Sequence, residues 1–94
     1  MLSKIPLVLE KIKADDLDRV ILRASIIAEL DAINLYEQMA ALAKKNHIKT
    51  ILLDIAKEEK AHVGEFQTLL LLEDPEQETE LAEGKKEVHD LIGK

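Results

Sequence analysis

The chain has 94 residues, room for one domain, and its 13 basic and 19 acidic groups leave a net charge of −6. It is 47% apolar, yet it holds one Tyr, one Phe, three Gly, two Pro and no Cys. That balance excludes disulfides, Cys-ligated zinc, iron–sulfur clusters and thiol chemistry, and it argues against an all-β sandwich, a glycine-cradled nucleotide site and a nucleic-acid surface.

Residues 1–14 read as an N-terminal arm, extended or partly helical. The apolar run within Met1–Leu9 is too short for a signal-peptide core and lacks a small-residue cleavage site. Asp15-Asp16-Leu17-Asp18 then reads as a helix start, a capping Asp followed by acids that suit the positive end of the helix dipole. No Gly or Pro follows until well past Lys45, so the first helix is predicted over 16–45, about 45 Å long. Lys44, Lys45 and Asn46 supply its end: cations near the last carbonyls and an Asn able to turn left-handed. A second helix is predicted over 47–72. Asp74-Pro75-Glu76-Gln77 stops it and starts a third over 75–92, with Asp as cap, Pro at the first helical position and Gly84 as a weak point. So short a link between the first two helices demands an antiparallel hairpin. The predicted fold class is all-α, a two-helix hairpin plus a shorter C-terminal helix within one domain over 1–94. No apolar run approaches the roughly 20 residues of a membrane span, and a soluble, cytosolic protein is expected.

The apolar stripes are wider than one hairpin needs. On the first helix Leu22, Ile26, Ile33, Tyr36, Ala40 and Ala43 form one line, and Leu17, Ile21, Ala24, Ala28, Ala32, Leu35, Met39 and Leu42 form its neighbour. The second helix carries Ile48, Leu52, Ile55, Ala56, Val63, Phe66, Leu69 and Leu70, plus Leu53, Leu71 and Leu72. Leaving this surface wet is unusual for a soluble monomer, so two hairpins pairing into a four-helix bundle are expected. The plainer alternative is that the third helix and the arm cover the excess.

Three polar residues interrupt these stripes. Glu29 lies midway between Leu22 and Tyr36, while Glu59 and His62 fill the gap between Ile55/Ala56 and Val63/Phe66. A lone carboxylate there would lose hydration or take up a proton, whereas two carboxylates and an imidazole converging can hold a cation. Glu59 and His62, at i and i+3, share one helical face. A Glu-x-x-His element and one further Glu are half of the ligands of a bundle carboxylate di-metal site. The other two histidines, His47 and His89, follow Lys44 and Lys86 at that spacing, so in a complete site a two-fold axis would supply the missing half from a second chain. With 12 Glu present, the motif alone has roughly a one-in-three chance of arising by accident; its placement on the apolar stripe strengthens it. The alternatives are a hydrogen-bonded polar cluster or a Glu59–His62 pair at the core's edge.

Tyr36 could donate to a ligand carboxylate or simply pack. Asp31, on a different face from Glu29, reads as solvated, with a role in ion access as its functional alternative. Glu37, Glu58 and Glu65 read as wet-face residues beside Lys57 and Lys60, and the acidic run Glu73–Glu80 as a cap plus solvated surface.

The segments Ile26-Ile27-Ala28-Glu29-Leu30-Asp31-Ala32-Ile33-Asn34-Leu35-Tyr36-Glu37 and Ile55-Ala56-Lys57-Glu58-Glu59-Lys60-Ala61-His62 resemble the encapsulated ferritins, short ferritin-like proteins packed inside encapsulin nanocompartments. The likeness covers roughly residues 16–94. It implies that Glu29, Glu59 and His62 ligate iron, two ions per dimer in a ferroxidase centre shared by two chains. It further implies a ring-shaped decamer of five dimers whose mineral is stored by the encapsulin shell, and no nucleic-acid or membrane partner. Tyr36 matches a tyrosine near the centre. Some relatives add a Glu just before the first ligand and a Trp near the ion path; Ala28 and Leu35 stand at those places here, with Asp31 as the remaining acid. No encapsulin-targeting peptide is visible over Leu91–Lys94, and some relatives are fused ahead of a shell protein, so the chain reads as cargo or as a piece of a longer protein.

The expected function is thus ferroxidase activity, Fe(II) to Fe(III), feeding storage. Oxygen and nitrogen ligands suit iron without excluding manganese or zinc as substitutes. The rivals are a rubrerythrin-like di-iron peroxidase and a non-enzymatic helical assembly module.

Overall fold

The computed structural model describes residues 13–94. The arm expected over residues 1–14 lies outside them except for Lys13 and Ala14, which already belong to the start of the first helix. Three helices make up the described residues, with no strand among them: α1 (Ala14–Leu42), α2 (Asn46–Glu73) and α3 (Pro75–Ile92).

The helix ends depart from the expected caps in two places. Lys13, not Asp15, occupies the N-cap of α1, without a side-chain cap; Asp15 and Asp16 sit in the first turn. Asp16 pairs there with Arg19, one turn on, so its carboxylate serves an ion pair and the helix dipole. At the other end α1 stops at Leu42, where the Ala43 N–H donates to the Met39 carbonyl at 2.9 Å. Ala43 and Lys45 are extended, and Asn46 opens α2 instead of closing α1. Extended residues reverse the chain without any positive φ, which removes the need for a left-handed Asn. The third start matches its expectation. Asp74 accepts from the Gln77 N–H at 3.1 Å, Pro75 stands at the first position, and α3 runs through Gly84 to end on left-handed Gly93 (φ 71°).

α1 and α2 pack antiparallel along their length, while α3 has little contact with either. The molecule measures 47 × 44 × 19 Å, one hairpin long, two helices thick and with α3 as the foot of an L. Its radius of gyration is 16.6 Å, against about 12 Å for a compact domain of this size.

The core is correspondingly thin. Ala32, Ile33, Ala40, Ala56 and Leu70 are buried, and small residues facing small residues bring α1 and α2 close. Ile21, Met39, Leu42, Ile48, Ile51, Leu69 and Leu72 remain exposed on the hairpin, as do Ile27, Leu30 and Leu53. In the helix interior, Ile51, Glu58, His62, Glu65 and Leu69 follow one another at seven-, four-, three- and four-residue steps, so they share one flank of α2. Ile21 of α1 meets that flank, lining one groove with Leu22 and Leu69. The third helix does not cover this surface, which answers the plainer alternative as far as α3 is concerned.

Candidate metal centre

The centre is built from two helices. α1 carries Glu29 on the side it turns toward α2, in line with buried Ile33 and Ala40. α2 carries Glu59 and His62 one turn apart, beside buried Ala56. Packing of the hairpin therefore delivers all three side chains to one spot. Each offers a ligand atom, and these atoms lie within 4.8 Å of one another.

The contacts among the three side chains are long. His62 Nδ1 stands 3.5 Å from Glu29 Oε2 and 3.5 Å from Glu59 Oε2, longer than a good N–H···O hydrogen bond. Both carboxyl side chains are 19% exposed and the imidazole 44%, so the acids lie inside and the ring toward the open flank. Glu29 Oε2 is buried and has no hydrogen-bond partner. A buried, unpaired carboxylate oxygen costs free energy, and a cation bound between the two acids would remove that cost. On this ground the donor set, two carboxylates and a nitrogen, fits a divalent transition-metal ion.

The remaining candidates lie outside the trio. Tyr36 is partly buried on α1, two turns beyond Glu29; Asp31 is partly buried and has an interaction partner of its own. Glu58 and Glu65 are exposed, as expected, though on the same flank as His62. Glu37 pairs with Lys60 across the hairpin at 3.2 Å. The sequence carried no sign of that pair, because a cross-helix partner depends on packing register.

His62 is 44% exposed and lies on the flank of α2 where Ile51, Leu69 and Leu72 are exposed. That flank is mixed, with exposed Glu58 and Glu65 beside those apolar residues and the half-exposed His62. No helix of the described residues is long and apolar enough to cross a membrane.

The rubrerythrin family profile matches residues 20–91. Over 73 residues, 78% of this chain, the sequence is 64% identical to a ferritin-like–encapsulin shell fusion protein of Pyrococcus furiosus. The chain spans 21% of that fusion protein's length. The crystal structure of the encapsulated ferritin domain from Pyrococcus furiosus aligns with the whole chain and 98% of its own, with a TM-score of 0.85 and 53% identity.

Proposed function

The chain belongs to the rubrerythrin family and to the encapsulated ferritins, and from that premise we propose that it is a ferroxidase whose site is shared by two copies. Glu29, Glu59 and His62 of each copy hold the Fe(II) substrate, and a two-fold axis supplies the second set. The single observation that carries this reading is the convergence of the three side chains around a buried Glu29 oxygen that has no partner.

The protein's part in the reaction is electrostatic and positional. Two carboxylates bind Fe(III) more strongly than Fe(II), so they lower the cost of removing the electron, which dioxygen or peroxide accepts. The His62 nitrogen adds a neutral ligand without adding charge. The helix backbone holds Glu59 and His62 at fixed spacing, so the site needs little rearrangement to receive the ion. Mn(II) and Zn(II) compete for the same donors.

Pairing of two hairpins through the flank of Ile51, His62 and Leu69 closes a four-helix bundle over the site. Five such dimers would form the ring, and an encapsulin shell around it would store the mineral. The encapsulin-fused relative supports that partner and a location inside a nanocompartment.

Stopped-flow oxidation of Fe(II) by wild type and Glu59→Ala tests the proposal. The substitution is expected to reduce the initial rate to that of iron in buffer; equal rates would end it. Native mass spectrometry with and without Fe(II) reports subunit number and iron per dimer together.

A further inference from the structure

One residue joins all three helices. The backbone N–H of Asp74 closes α2 on the Leu70 carbonyl at 2.8 Å, and its own carbonyl accepts from the Gln77 N–H at 3.0 Å. Its two carboxylate oxygens are divided between the other elements. Oδ1 caps α3 through the Gln77 N–H at 3.1 Å, and Oδ2 accepts from Arg23 Nη2 of α1 at 2.6 Å. The Asp74 side chain is 14% exposed and that of Arg23 48%, so the acid is the more shielded partner.

Beyond the groove that Gln77 and Leu81 share with Ile26 and Ile27, the rest of the fold does little to hold α3. Asp74 is the only residue between α2 and α3, so its φ and ψ (−138° and 82°) set the angle of the elbow. α3 buries no residue and has little contact with the hairpin. A helix of 18 residues on a one-residue pivot would swing unless something tied the pivot to the hairpin. Arg23 is that tie, reaching Asp74 from α1, fifty-one positions away in the chain.

The geometry points to the Arg23–Asp74 pair as the clamp that fixes the direction of α3. The helix itself does not depend on the clamp, since its cap uses the other carboxylate oxygen. Loss of Arg23 therefore frees the angle and leaves α3 folded.

Because the chain has no Cys, two introduced cysteines carry spin labels at unique positions. Asn34 on α1 and Glu87 on α3 are both exposed. With the doubly labelled full chain diluted into unlabelled protein, dipolar spectroscopy reads the intramolecular distance alone. Wild type is expected to give one narrow distribution. Arg23→Ala should broaden it at least about twofold with unchanged helical circular dichroism, and Arg23→Lys should stay near wild type. Asp74→Asn, which keeps a capping oxygen but loses the charge, should broaden it as Arg23→Ala does. An Arg23→Ala distribution that coincides with wild type overturns the clamp, as does equal broadening by Arg23→Lys and Arg23→Ala. Ferroxidase rates do not enter this readout, so it stands or falls independently of the iron chemistry.

Discussion

Glu29 and His62, on opposite helices of the hairpin, face each other with Oε2 and Nδ1 3.5 Å apart. The separation is too long for a strong hydrogen bond and leaves that carboxylate oxygen buried without a partner. Two acids and one imidazole held in this way store an electrostatic cost that a cation can relieve.

That cost is measurable. Glu29→Gln removes the charge and much of the repulsion from Glu59, so the metal-free protein should gain about 1–2 kcal/mol. The same change should abolish the rise in melting temperature that Fe(II) or Zn(II) gives wild type, a rise that EDTA reverses. Calorimetry with and without metal checks both signs. A metal-free Glu29→Gln protein less stable than wild type would show that the carboxylate is satisfied in solution.

The proposed sharing of the site by two copies predicts that the apolar flank and metal affinity fail together. Ile51→Glu and Leu69→Glu lie away from the ligands on the flank of His62, both on exposed positions. Each should shift the protein to monomer in sedimentation and weaken apparent metal affinity by at least about tenfold, without loss of helix content. Monomers that retain full affinity would place the complete site within one chain.

The thin core makes its small residues sensitive in both directions. Ala56 is 2% exposed between α1 and α2, so Ala56→Leu should cost about 1–3 kcal/mol by forcing the helices apart. Leu70→Ala, at a buried position near the elbow, should cost about 2–4 kcal/mol through the cavity it leaves. Urea unfolding at one protein concentration compares them, and Ala56→Leu should also weaken metal binding by moving Glu59 from Glu29.

The elbow has its own pH signature. The Gln77 N–H bond holds the Asp74 carboxyl below its ordinary 3.8, opposed in part by desolvation and reinforced by Arg23. A depressed carboxyl contributes stability that is fully present above its unfolded value and is lost as pH falls through its folded one. The Gln77 amide resonance should therefore be flat from neutral pH to about pH 5.5 and titrate with a midpoint below 3.8. A midpoint at or above that value would contradict the cap. Asp74→Asn should remove the transition.

Three helices, the hairpin and the trio of Glu29, Glu59 and His62 that packing brings within 4.8 Å of one another were legible from residue order alone. Pro75 after Asp74 marks a helix start within a few residues. Glu29, Glu59 and His62 betray themselves as polar breaks in apolar lines, because helical periodicity is local and repeats within a turn. The exact stop of α1 at Leu42, the partnership of Glu37 with Lys60, the tie between Arg23 and Asp74 and the L shape were decided only in three dimensions. Those features depend on how two helices settle into each other's grooves and on which long side chains then come within reach, a sum over contacts that no short window of residues contains.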